Sequence, residues 1–442
     1  MFARYVFLTV FCFPFLTVAM PDSMAEDKGF TLQDCIQIAQ EQNPDIAIEE
    51  QNIEVAGAQE DFARGERWPA LTLKSTYSHS LDTQRLTTIR QPDEPSVFSE
   101  DIWKGDILLS LPLFTGGRII HSIRAAELLH LSSEKRLTRT SQEIVFNISS
   151  VFYDILAQRK VIDSLQFSQQ VLEEHVQRIN QLIRAERAAK VDLLRTQVQL
   201  ADVIQNRISE ANKLDIQHQV LANLMGIDNA TDPLEIDGEL KEEPFSTDQE
   251  STLDLAYEKR SDLQADQAEY QAQTNRVQAS AAEQWPTLSL FGSYGGLWGI
   301  DPEYRQPGGA TLEDVGMIGI SVEMPLFVGG RIQAKVREEQ AKQKALQEKV
   351  RKRRLQINLE VETAIKTIRS NYQRVLTTKT AIDQAKESFR IEQKKYEAGK
   401  GTITDVLDAQ SAMLTAETNY YQALAEYNVS IAQYDLAIGE SL

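Results

Sequence analysis

Two cysteines and five histidines are few for a chain of 442 residues, and neither set is arranged for chemistry. Cys12 lies in an apolar leader with no small residue before it, so it is no lipid-attachment site; the mature chain keeps Cys35 alone. One thiol cannot close an internal disulfide. His79, His121, His130, His175 and His218 show neither metal-ligand nor catalytic spacing, and no nucleophile motif accompanies them. Scarce Met and His argue against a relay for soft metal ions. The expectation is a protein without cofactor or enzymatic activity. No segment beyond the leader reaches 18 consecutive apolar residues, which excludes a transmembrane helix in the mature chain. Positive charge is also short: 46 Lys and Arg against 65 Asp and Glu leave a formal charge of −19, which argues against nucleic-acid binding.

What is present begins with the leader. Arg4 precedes an apolar run from Tyr5 to about Ala19, and small residues stand at Ser23 and Ala25. This pattern reads as a secretory signal peptide over residues 1–25, cleaved after Ala25 so that the mature chain begins near Glu26. A membrane anchor is the rival reading, but the run is broken by Pro14 and is shorter than the roughly 20 residues a span needs.

The mature chain repeats itself. A shift of 217 places Ala39 on Ala256, Glu41 on Glu258, Asp45 on Asp262, Trp68-Pro69 on Trp285-Pro286, and Leu71 and Leu73 on Leu288 and Leu290. A shift of 213 places SLPLFTGGRI, starting at Ser110, on EMPLFVGGRI, starting at Glu323. The same shift pairs Asp192 with Asp405, Gln197 with Gln410 and Gly226 with Gly439. The offset changes only between Trp68 and Pro112, so the length difference belongs in a connecting loop. Each half reads helix, strand, loop, strand, long helix, turn, helix. The division is 26–226 for the first repeat, 227–250 for an acidic linker and 251–442 for the second repeat.

The strands alternate. Leu71, Leu73, Tyr77 and Leu81 share one parity against Lys74, Thr76 and Ser78, and Ile107, Leu109, Leu111 and Leu113 alternate with Asp106 and Ser110. Leu288, Leu290, Tyr294 and Trp298 form a third set, and Ile318, Ile320 and Val322 a fourth. Strands of about ten residues with one apolar face suit either a membrane barrel or a soluble antiparallel sheet. Four strands cannot close a barrel, for which about eight is the practical minimum. Either the hairpins cover a soluble core or several chains pool them.

After each GGRI element a helical pattern runs over residues 118–183 and 331–396, roughly 100 Å at 1.5 Å per residue. Alternating steps of four and three from Leu137 to Ile183 visit apolar residues almost throughout, and a matching ladder runs from Val350 to Tyr396. A sustained seven-residue period requires coiled-coil partners. The returning helices, residues 191–225 and 403–438, are the natural ones, with close approach allowed at Ala409, Ala412, Ala416 and Ala423. Gly116-Gly117 and Gly329-Gly330 are not phosphate loops, since no Gly-Lys-Ser/Thr follows. They permit a sharp strand-to-helix junction before Arg118 and Arg331, after Pro112 and Pro325 have ended the strands.

The paired PLFxGGRI elements, the openings AQEQNPDI (from Ala39) and AYEKRSDL (from Ala256), and YEAGKGTITDVLDAQ (from Tyr396) resemble the TolC-like outer membrane efflux proteins. The resemblance covers nearly the whole mature chain. It implies a mixed α+β membrane protein, a homotrimer in which each protomer gives four strands to a 12-stranded antiparallel barrel in the outer membrane. The long helices form a coiled-coil tunnel across the periplasm. Export would be passive, of small molecules or proteins, in partnership with a periplasmic adaptor and an inner-membrane pump. Asp405 and Asp408 match the family's acidic pore ring, three residues apart on one helix face. The plain alternative for Asp405 is a helix-start carboxylate favoured by the dipole. Asp192 and Tyr396 match positions that latch the closed entrance; Gly399, followed by Lys400, matches the turn where adaptors dock. Gly401 departs from the pattern, standing where the best-known member has a gate arginine, with Lys400 and Lys190 as candidate substitutes. The first-half turn, RAERAAKVDLL, lacks a glycine matching Gly399, so weaker or differently shaped adaptor docking is expected in that half. A periplasmic coiled-coil scaffold or adaptor without a pore remains the alternative reading.

Overall fold

The computed structural model describes residues 29–85, 98–228, 234–245, 249–299 and 315–440. The leader expected over 1–25 lies outside them. Each half opens with two short helices, α1 (Leu32–Gln42) and α2 (Pro44–Gly65), then α5 (Gln249–Lys259) and α6 (Ser261–Ala282). Strands β1 (Ala70–Arg85) and β2 (Phe98–Phe114) follow α2, and β3 (Thr287–Gly299) and β4 (Val315–Glu323) follow α6. The long helices are α3 (Arg118–Arg184) and α7 (Arg331–Glu397), and the returning ones α4 (Lys190–Leu224) and α8 (Ile403–Ile438). The long helices therefore end within a residue of the expected positions. None of the described helices is long and apolar enough to cross a membrane.

The opening helix of each half, expected as one, is two. Pro44 cannot donate to the helix before it, and it starts α2 at a favoured first position while Asn43 caps it, Oδ1 accepting from Asp45 N at 2.8 Å. Asn43 Nδ2 also donates to Leu224 O at 2.7 Å, tying the break to the end of α4. The shift of 217 carries Asn43 onto Arg260. Arg260 breaks α5 from α6 and donates to Ala437 O at 3.2 Å, the counterpart of Leu224 at the end of α8. Its guanidinium is 1% exposed and grips Asp262 at 3.0 and 2.5 Å and also Glu360. Just beyond each returning helix comes a left-handed glycine, Gly226 (φ +74°) and Gly439 (φ +81°). A Cβ on Gly226 would lie 2.3 Å from Gln42 O, and one on Gly439 3.0 Å from Arg260 Cα. So each returning helix stops against the break between two opening helices; α2 and α4 lie along α3, and α6 and α8 lie along both α3 and α7.

Both ladders are packed as expected. Ile144, Ile148, Ile155, Leu165, Leu172 and Ile179 on α3 are buried, as are Ile357, Val361, Ala364, Ile368, Val375 and Ile382 on α7. The partners are more numerous than the returning helices alone: α3 lies along α4, α6 and α8. Ala409 and Ala423 are buried, while Ala412 is exposed. The acidic linker is more than a connector over its described part. Ile236 bridges to Phe30 and is buried with Cys35, Ile36 and Phe152, and Tyr427 Oη donates to Glu243 O at 2.5 Å. Cys35 itself is wholly enclosed, and burial, with Asp34 beside it, pushes its thiol up to about 11.

The described strands form one antiparallel sheet in the order β1-β2-β3-β4. One expectation fails here: Pro112 does not end its strand. β2 runs on to Phe114, and its register against β3 slips between Pro112 and Phe114. The pairing with β1 has already stopped at Ser110, so no β1 carbonyl is left waiting for the N–H that Pro112 lacks. Pro325 does lie past the end of β4.

Candidate functional site

The sheet register brings the four alternating sets onto one face. Leu73 pairs with Ile107, Leu71 with Leu109, Ile107 with Tyr294, Leu111 with Leu290, and Leu290 with Ile320. Leu73, Ile318 and Val322 are 76, 72 and 68% exposed in the single chain, so none of the described residues covers this apolar face. The other face is mixed: it carries Lys74, Thr76, Ser78, Lys104, Asp106, Ser289, Ser293 and Ser321, with Leu108, Phe291, Leu297 and Met317 among them. Among the described residues neither β1 nor β4 has a partner on its outer edge.

The strand-to-helix junctions use the expected glycines. Gly116 (φ +63°) and Gly117 (φ +92°) lead into Arg118, and Gly329 (φ +66°) and Gly330 (φ +76°) into Arg331. Their surroundings differ. A Cβ on Gly116 would come 2.8 Å from Trp285 Cβ, whereas Gly329 has nothing within 4 Å. Arg118 pairs with Glu66 at 3.2 Å.

At the far end of the helices, Thr402 and Asp405 form a capping box: Thr402 N and Oγ1 donate to Asp405 Oδ2 at 3.0 and 2.7 Å, and Asp405 N donates back at 3.2 Å. These bonds hold the Asp405 carboxyl below its usual range. Asp408 lies one turn on, and both carboxylates are exposed. Tyr396 and Asp192 come together without a hydrogen bond; burial, and then the nearby Asp192 carboxylate, raise the phenol. Neither Lys400 nor Lys190 makes an ion pair among the described residues. The cations that tie the two hairpins are two that sequence reasoning missed: Arg178 Nη1 reaches Glu397 at 3.2 Å, and Arg195 Nη1 donates to Thr404 Oγ1 at 3.0 Å. Arg195 occupies the position that Asp408 holds in the second repeat, so its charge breaks the repeat pattern.

The first-half turn has the same backbone shape as the second although it lacks the glycine. Glu186 stands where Gly399 stands in the other half and adopts the same left-handed backbone, φ +57° against +71°. Ala185, Glu186 and Arg187 donate to Gln181, Ile183 and Leu182, and Ala398, Gly399 and Lys400 repeat that pattern. The strain of a non-glycine residue replaces the missing glycine.

No group of three or more potential metal ligands occurs among the described residues. The family model described as outer membrane efflux protein matches residues 35–227 and 252–440. The chain is 19% identical to the outer membrane protein TolC of Vibrio cholerae, over 72% of each chain. It is 21% identical to the proteases secretion protein PrtF of Dickeya chrysanthemi, over 91% of this chain and 86% of that one. The crystal structure of the Campylobacter jejuni CmeC outer membrane channel superposes with a TM-score of 0.80 at 17% identity, covering 92% of this chain and 85% of the other. With both repeats matched, the chain belongs to the outer membrane efflux protein family and is an outer-membrane efflux channel.

Proposed function

We propose that three copies of this chain close a 12-stranded barrel over a helical tunnel, through which a periplasmic adaptor and an inner-membrane pump pass small molecules or proteins. The observation that carries this is the uncovered sheet: one face apolar, the other bearing the charged and hydroxyl side chains, and both edges open among the described residues, which lipid, water and further strands satisfy together. The duplication gives the contact between copies. Within the chain, Ile107 pairs with Tyr294 and Gly116 meets Trp285. The repeat offsets turn these into Ile320 opposite Tyr77 of the next copy, and Gly329 against Trp68 of the next copy. Both tryptophans are largely exposed here. Exposed Ile48, Val55 and Phe62 along α2 and Leu355 and Leu359 on α7 supply helical surface for the same assembly.

In this reading residues 1–25 are the leader, 26–226 and 251–442 the two repeats and 227–250 their linker. Asp405 and Asp408 from three copies ring the entrance and favour cations, Asp192 and Tyr396 hold it shut, and the turns at Gly399-Lys400 and Glu186 meet the adaptor. Planar-bilayer recording tests it. The purified protein gives a small, cation-preferring conductance, and Asp405→Asn with Asp408→Asn abolishes the preference; unchanged selectivity removes those residues from the pore. Cysteines at Tyr77 and Ile320 cross-link copies into covalent trimers, and their failure to do so rejects the register.

A further inference from the structure

We infer that the inside of the barrel carries a cationic collar, built from Lys74 and Lys104, that binds multivalent anions. This rests on the reading of the polar sheet face as the wall of a closed barrel.

Lys74 pairs in register with Asp106, and Lys104 with Thr76, so both lysines and the aspartate share one level of one face. Their exposures decide what that level presents. Lys104 bonds Asp106 at 3.2 Å, yet its side chain is 55% exposed while that of Asp106 is 16% exposed. Gly295 explains the difference. It is the partner of Asp106 on β3, and a Cβ there would stand 2.6 Å from Asp106 Oδ1 and 2.1 Å from Gly105 O. The missing side chain leaves room for the carboxylate to lie down against the β3 backbone, and the lysine heads stand clear above it. Lys74 is exposed and makes no ion pair among the described residues.

The nearest further charge on this face is Glu100, four residues from Lys104 along β2, or about 13 Å at 3.3 Å per residue. The described residues of β3 and β4 carry one charge, Glu323. Glu323 pairs with Thr287 and Asp106 with Gly295, eight residues further along β3, or about 26 Å at 3.3 Å per residue. That exceeds the Debye length of about 8 Å at physiological salt. Three copies would bring six lysines and three covered aspartates to the same height. Of the nearest neighbours on this face, Thr76, Ser78 and Ser293 offer hydroxyls, and Leu108 and Leu297 carry no charge. A groove wall of this kind takes phosphate-rich or polycarboxylate solutes.

The test uses the whole purified protein in a planar bilayer, with inositol hexakisphosphate added on the barrel side. The unaltered channel is expected to show voltage-dependent block. Lys74→Gln with Lys104→Gln raises the half-blocking concentration by about tenfold, and Lys74→Gln alone, which leaves the Lys104–Asp106 pair intact, raises it less. Asp106→Asn lowers it. Single-channel conductance in 1 M salt reports whether each variant is folded and inserted. Block that is equal in all four proteins overturns the collar while leaving the channel standing; absence of any conductance from the unaltered protein overturns the channel and the collar with it.

Discussion

Gly226 and Gly399 separate two costs that are usually measured together. Both residues have a left-handed backbone, φ +74° and +71°, so replacing either with alanine incurs the same conformational penalty, about 1–2 kcal/mol. Only Gly226 has a neighbour in the way: its new methyl would sit 2.3 Å from Gln42 O and 2.6 Å from Gln42 C, where no real contact survives. Relieving that clash must push α4 off the α1–α2 break and stretch the Asn43–Leu224 bond, and overpacking of this kind costs a further 1–3 kcal/mol or so. Gly226→Ala should thus lose about 2–5 kcal/mol and Gly399→Ala about 1–2. Guanidinium unfolding of the detergent-solubilised protein, followed by far-ultraviolet circular dichroism, reads the difference as a shift in midpoint at constant slope. Glu186→Gly runs the other way: it relieves left-handed strain at an exposed turn, and because the extra chain entropy that glycine loses on folding offsets part of the relief, the gain should not exceed about 1 kcal/mol. Equal losses for the two alanine variants would refute the idea that close approach, rather than φ alone, selects glycine at the joint.

Arg260→Ala should destabilise by about 3–5 kcal/mol, because it strands Asp262 in a buried site, and Asp262→Asn in the same background should recover part of the loss by the same unfolding measurement. Asn43→Ala, at the matching place in the first repeat, removes a neutral cap and one carbonyl bond and should cost less, about 1–3 kcal/mol. Asp435, half-buried on α8, is pushed up to about 6 by burial and by Glu440. The folded chain therefore holds a proton that the unfolded chain releases near 3.8, and stability attributable to this group falls as pH rises from about 4 to about 6. Asp435→Asn should flatten the unfolding midpoint across that window and raise it at neutral pH; a profile parallel to the unaltered protein's would remove Asp435 as the cause.

The long elements were legible because their signals are local. Gly-Gly before Arg118 and Arg331 and the sustained apolar ladders mark the ends of α3 and α7, and the alternation of each strand names its apolar face without its neighbours. Other features depend on contacts between distant residues. Pro112 sits inside β2 because β1 stops pairing two residues earlier, which no property of Pro112 foretells. The break at Asn43-Pro44 was written in the sequence as a cap followed by proline, yet its partner at Arg260 carries neither residue type and works through buried ion pairs. Glu186 has no propensity for the left-handed backbone it adopts; the turn imposes it. At the tip, Arg178 and Arg195 bind residues 219 and 209 positions away, so nothing beside them in the sequence announced a role.

Cys35 gives a practical return. A thiol that is both fully enclosed and held near 11 scarcely ionises at neutral pH and does not meet solvent, so maleimides and spin labels should pass it by. A single new cysteine at an exposed turn such as Glu186 would then be the one reactive handle among the described residues, and distances between labelled copies could be read from the otherwise native protein.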